Sequence, residues 1–78
     1  MDKPEQFESS DLYLIAALLC RGHPCIDNRR EGRRVFFVFE DTESLRENVK
    51  DYFGDRLLVS ALDYAGQVKD VKTSVFNM

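Results

Sequence analysis

Val35-Phe36-Phe37-Val38-Phe39 is an unbroken run of five apolar residues, and it constrains the fold more than any other stretch of the chain. Successive side chains of a strand point to opposite faces, so Val35, Phe37 and Phe39 share one face while Phe36 and Val38 share the other. A half-buried strand alternates apolar and polar residues, whereas this one asks for cover on both sides. The cover must come from the chain's own helices, from a second copy or from a partner, and that choice is most of the functional question.

The run is fed by a basic segment, Arg29-Arg30-Glu31-Gly32-Arg33-Arg34. Between Arg21 and Arg34 five arginines face only Asp27 and Glu31, although the whole chain carries a net charge of -3. An acidic protein with one arginine-rich edge attracts phosphate locally while its overall field opposes long-range steering toward nucleic acid.

Seventy-eight residues, 44% apolar and 32% charged, suit one globular domain with a small core. A single core of this size rarely supplies more than ~3 to 5 kcal/mol, so association with a partner would be useful support. The longest apolar run, Leu12 to Cys20, is nine residues long, against roughly 20 for a membrane-crossing helix. It follows an acidic stretch, which argues against a signal peptide and for no membrane span. With only Cys20 and Cys25, a reduced cytoplasmic setting is expected in place of a disulfide scaffold.

Residues 1–8 are polar, contain Pro4 and read as a loose N-terminal arm; residues 9–78 read as one compact domain. Ser9-Ser10-Asp11 is a helix start signal. The helix that follows, from Asp11 to about Arg21, is apolar nearly all round and so reads as central and buried. Gly22 caps it and Pro24 prevents its resumption. Cys25 to Asp27 and Arg34 to Glu40 form an antiparallel hairpin about a turn at Asn28 to Arg33. Asp41-Thr42 opens a second helix with Leu45, Val49, Tyr52 and Phe53 on its apolar stripe, ended by Gly54. Arg56 to Val59 is either a brief third strand or an extended linker. Ser60 and Asp63 have the spacing of a capping box and open a last helix, with Tyr64, Ala65, Val68, Val71 and Val75 inward.

The run Phe7-Glu8-Ser9-Ser10-Asp11-Leu12-Tyr13-Leu14-Ile15-Ala16, with Arg21-Gly22-His23, Arg34 to Asp41 and Tyr52-Phe53-Gly54, resembles a family of small stand-alone bacterial proteins of unknown function. The resemblance covers nearly the whole chain. It implies a small α+β fold and supplies no activity, cofactor or catalytic residue. Gly54 stands where relatives often carry Asn-Gly, a departure that touches only a helix end.

Residues suited to chemistry are few. Cys20, His23 and Cys25 are zinc-ligand types, but three are one short of a closed site, and a cysteine ending an apolar helix commonly packs as a small hydrophobe. Cys-x4-Cys lacks the close spacing of a redox motif. No partner group is evident for His23, Ser9 and Ser10 read as caps, and the glycines form no phosphate-cradling loop. No metal, cofactor, small-molecule substrate or catalytic role is expected.

The expected architecture is α+β: a two-stranded, possibly three-stranded, antiparallel sheet with three helices, in the order α-β-β-α-(β)-α. The expected core is Leu12, Ile15, Leu19, Val35, Phe37, Phe39, Leu45, Val49, Val68 and Val71. Three helices suffice to cover both faces of the apolar strand. The expected function is a non-enzymatic protein-interaction or self-association module, motivated by a surplus of apolar residues: Tyr13, Phe36, Val38, Phe53 and Phe76. The alternative is nucleic-acid or polyanion binding by Arg21, Arg29, Arg30, Arg33 and Arg34, because the planar guanidinium pairs two phosphate oxygens. Against it, a basic turn also serves simply to keep an edge strand from pairing with neighbours.

Overall fold

Helix and strand boundaries follow local signals closely at some positions and depart from them at others. The computed structural model describes residues 5–77. In it, β1 (Gln6–Ser9), α1 (Leu12–Cys20), β2 (Cys25–Glu31), β3 (Arg34–Glu40), α2 (Glu43–Phe53) and α3 (Ala61–Phe76) form an α+β domain. The sheet is antiparallel, with the order β1-β3-β2. The apolar strand is therefore central.

α1 starts where its carboxylate cap requires: the Asp11 side chain accepts from the backbone N–H groups of Tyr13 and Leu14 at 3.0 and 3.2 Å. Five successive residues, Leu14 to Leu18, are buried, which only a helix enclosed on most sides can achieve. Its end is a Schellman motif: Gly22 adopts φ +86°, its N–H reaches Leu19 O at 3.0 Å, and the His23 N–H reaches Leu18 O at 3.1 Å.

The hairpin is longer and its turn tighter than the sequence suggests. Asn28, Arg29 and Arg30 are strand residues paired with Phe37, Phe36 and Val35, and only Gly32 and Arg33 turn. Gly32 at φ +61° with no positive φ at Arg33 has the pattern of a II′ turn, whose twist suits a two-residue hairpin. Asn and Arg read as turn formers in isolation, but pairing with the central strand overrides that preference. One register shift falls between Cys25 and Asp27, leaving Ile26 as the extra residue of a bulge.

The third strand is at the N-terminal end. Of the arm expected over residues 1–8, residues 1–4 lie outside the described residues, whereas Gln6 to Ser9 pair with Glu40 to Phe37 as β1. Its alternation supplies the reason, with Phe7 half-buried against the core and Glu8 exposed. Arg56 to Val59 is linker, not strand.

α2 is capped by Thr42, whose Oγ1 accepts from the Leu45 N–H at 3.0 Å. At its other end the left-handed position falls on Asp55 at φ +59°, not on Gly54. The Asp55 N–H reaches Tyr52 O at 3.2 Å and the Arg56 N–H reaches Asp51 O at 2.8 Å. Ser60 occupies the N-cap of α3, yet its side chain makes no capping hydrogen bond, so the expected box with Asp63 does not form.

Ile15, Val35, Phe37, Phe39, Leu45 and Val71 are core residues as expected, joined by Leu14 and Leu18. Leu12, Leu19 and Val49 are partly buried against them, and Val68 is half-buried. Phe53, expected inward, is 68% exposed. α1, α2 and α3 all contribute to the one cluster that contains Val35, Phe37 and Phe39. With principal extents of 33 × 32 × 18 Å, the domain has two layers, and its helices do not wrap both faces of the sheet.

Candidate functional site: the charged sheet face and the edge of β2

Since the helices lie on one side, Phe36 and Val38 need other cover. Arg29 stands directly opposite Phe36 on β2, and Glu8 stands opposite Val38 on β1. Their side chains meet across β3: Arg29 Nε and Nη2 donate to the two Glu8 carboxylate oxygens at 2.9 and 3.0 Å. Arg29 Nη1 also donates to Glu31, and the guanidinium carbon lies 4.8 Å from the centre of the Phe36 ring. An arginine plane suits this position because it stacks on an aromatic face while its edge holds a carboxylate. Val38 is 3% exposed beneath this arrangement and Phe36 is half-buried.

The same contacts set the local electrostatics. The hydrogen bonds from Arg29 hold the Glu8 carboxyl below the ordinary carboxylate range. Glu8, then Glu31, pushes the guanidinium further up. Arg29 is thus committed to carboxylates within its own sheet.

The remaining arginines do not converge with it. Arg30 Nε donates to Gly32 O at 3.1 Å, and Arg21 Nη1 donates to Leu58 O at 3.3 Å, in the α2–α3 connection. Arg33 and Arg34 are exposed and flank a shallow depression shared with Ser10, Asp11 and Val75. The expected five-arginine edge is a dispersed set.

β2 is an edge strand. From Ile26 to Glu31 every residue is exposed. The Asn28 N–H donates to the Asp27 carboxylate at 2.8 Å, and so aims away from β3. That orientation agrees with a two-residue hairpin, in which Glu31, Arg29 and Asp27 exchange hydrogen bonds with β3 while Asn28 and Arg30 direct theirs outward.

Other candidate groups are dispersed too. His23 Nε2 lies 2.8 Å from Asn48 Oδ1, and the Cys25 thiol donates to Asp27 O at 3.0 Å. Burial, with a further contribution from Asp63, pushes the Cys20 thiol up. Among the described residues no cluster of His, Cys, Asp and Glu is placed to hold a metal ion, and no helix is long and apolar enough to cross a membrane. A cleft of about 190 Å³ lies between Ala17, Tyr52, Leu57, Val59 and Tyr64. Burial pushes both of its tyrosine phenols up, and the Tyr64 hydroxyl donates to Tyr13 O at 3.2 Å.

Sequence reasoning found Arg29 and missed its partners. Glu8 was hidden in a segment read as an arm, though the alternation Gln6-Phe7-Glu8-Ser9 carried the signal. Glu31, two residues after Arg29, shares its face of the strand and is the other acid that the guanidinium meets.

Together these features define a two-layer α+β domain with a salt-bridged outer sheet face and an exposed edge strand, β2. Residues 5–77 match the family model described as a domain of unknown function (DUF5659), and the chain belongs to that family. No curated protein and no solved structure gives a significant match.

Proposed function

We propose that this chain is a non-enzymatic protein-interaction module that works by self-association through its sheet edge. The observation that supports it is β2, seven residues long, exposed from Ile26 to Glu31 and, among the described residues, the edge strand of the sheet. Edge strands of this length present rows of free N–H and C=O groups that another strand can extend, and natural sheets usually shorten, cover or interrupt them. No proline interrupts β2, and its bulge, at Ile26, lies near its start, although Asp27, Arg29, Arg30 and Glu31 charge the edge. A small core gains from such pairing, since buried edge and face add to a thin stability margin. The free thiols of Cys20 and Cys25 suit a reducing cytoplasm.

Sedimentation velocity from micromolar to near-millimolar concentration tests the reading. A reversible dimer that dissociates on dilution is expected; a monomer at every concentration would overturn it.

A second reading, polyanion binding, draws on Arg33 and Arg34, which are both exposed at the hairpin tip. Its competitor is the commitment of Arg29 to Glu8 and Glu31. Titration with short DNA and RNA duplexes at low ionic strength separates the two, because phosphate contacts give affinity that falls steeply with salt. Absence of binding at low salt removes this second reading.

A further inference from the structure

β3 is longer than the strand that covers its β1 side. Phe37 and Phe39 pair with Ser9 and Phe7, and the Asp41 N–H reaches Glu5 O at 2.9 Å, so the odd-numbered residues here direct their backbone groups toward β1. The hairpin gives the same alternation. Glu31 and Arg34 flank its two-residue turn and exchange hydrogen bonds, which leaves the N–H and C=O of Val35 facing away from β2. Continued by one step, the β1 register would set Asp11 opposite Val35. Asp11 turns out of the sheet instead to cap α1: its N–H donates to Ser9 Oγ at 3.1 Å, its carbonyl accepts from the Ile15 N–H at 2.9 Å, and its carboxylate accepts from Tyr13 and Leu14. Among the described residues no group takes up the Val35 N–H or C=O on this side. Backbone groups of a residue only 5% exposed ordinarily find partners.

The gap opens into the depression beside the hairpin tip, about 410 Å³ in volume, lined by Leu12, Val35 and Val75 and bordered by Arg33 and Arg34. Both arginines are exposed, and neither guanidinium has a hydrogen-bond or ion-pair partner among the described residues. We propose that this gap is a docking slot for an extended segment of a partner protein, which adds to β3 antiparallel and in line with β1, with an apolar residue opposite Val35 and acidic residues opposite Arg34 and beside Arg33. The slot lies on the other side of β3 from β2, so it goes beyond the self-association reading and stands independently of it.

The backbone groups select the class of occupant. A peptide residue supplies an acceptor for the Val35 N–H and a donor for its C=O at one position, whereas a phosphate group supplies acceptors alone. Strand alternation then places the side chains. The residue opposite Val35 points, as Val35 does, toward the helices, where Leu12 and Val75 offer apolar surface. The next residue, opposite Arg34, points to the outer face, and there a carboxylate stands at cross-strand distance from the guanidinium. A third residue reaches the turn beside Arg33. The Asp11 carboxylate opposes an acidic occupant little, because two backbone N–H groups of α1 already hold it. With one hydrogen-bonded pair and exposed charges, binding is weak and salt-sensitive.

The N-acetylated, C-amidated peptide Val-Glu-Glu, titrated into the isotope-labelled full chain at low ionic strength, tests the slot by heteronuclear NMR. The Val35 amide resonance should shift and its hydrogen exchange should slow, while the Asn28 and Arg30 amides on the outer edge of β2 stay in place. The peptide Val-Gln-Gln should bind about tenfold more weakly. The double variant Arg33→Glu, Arg34→Glu should weaken Val-Glu-Glu by a similar factor and prefer Val-Lys-Lys, with circular dichroism confirming the fold. Should the double variant fail to fold, Arg33→Glu alone, in the turn, carries the same comparison. A Val35 amide unmoved at millimolar peptide, or equal affinity for Val-Glu-Glu and Val-Gln-Gln, overturns the proposal. So does a short RNA duplex that binds more tightly than the peptide through the same two arginines and leaves the Val35 amide unmoved.

Discussion

Arg29 on β2 and Glu8 on β1 join across the full width of the sheet, by hydrogen bonds of 2.9 and 3.0 Å that pass over the central strand. This bridge answers the question set by the apolar run at Val35 to Phe39. One face of that run is covered by helices, the other by an ion pair lying on Phe36. Flat salt bridges at the surface usually contribute little. Here the geometry is bidentate and the guanidinium lies over the Phe36 ring, so the side chain matters for packing as well as for charge.

The pH dependence of stability follows from Glu8. Its folded-state carboxyl is held below the ordinary value of 4.5 by Arg29, so the unfolded chain takes up a proton before the folded one does. The stabilisation is therefore present above pH 4.5 and is lost as pH falls through the folded value. Urea midpoints measured between pH 7 and pH 3 should decline more for wild type than for Glu8→Gln, with the difference concentrated below pH 4.5. Parallel curves for the two proteins would mean that the bridge does not form in solution.

The helix caps should divide into two classes. Asp11→Ala and Thr42→Ala each remove a side-chain oxygen that accepts from the backbone, at 3.0 Å from Tyr13 N and 3.0 Å from Leu45 N respectively. Each should cost about 1 kcal/mol in chemical denaturation. Ser60→Ala removes no such bond and should fall within about 0.5 kcal/mol of wild type. A large loss at Ser60 would show that its hydroxyl caps α3 after all.

Asp55 offers a stabilising change. It holds φ +59° just past the end of α2, a conformation that glycine adopts without steric cost, and its carboxylate sits at the negative end of the helix dipole. Asp55→Gly should raise stability by up to about 1 kcal/mol, offset in part by the greater freedom of glycine in the unfolded chain. Thermal melts by circular dichroism would show it as a higher midpoint; a lower one would mean that Asp55 makes a contact worth more than its strain.

The helices were legible because their signals are local. Asp11 and Thr42 announce their caps, Gly22 its left-handed turn, and the apolar density between Leu12 and Leu19 the buried position of α1. The sheet was legible at β3 and at the start of β2, Cys25 to Asp27. β1 is four residues of mostly polar chain, whose alternation is too short a signal to stand without its pairing to Phe37 to Glu40. Asn28 to Arg30 carry turn chemistry and become strand because β3 supplies the ladder. The site was half legible for the same reason. Arginine density drew attention to the right segment, but whether a guanidinium faces solvent or a carboxylate of its own chain is decided by which strands become neighbours, and Glu8 lies 21 residues from Arg29.

α1 imposes an order of events on the making of this domain. Its five consecutive buried residues are translated well ahead of β3 and α2, while α3, the helix against which it packs most extensively, lies beyond both. Until α3 is complete, the most apolar segment of the nascent chain lacks its principal cover, and that interval is when chaperone capture or aggregation competes with folding.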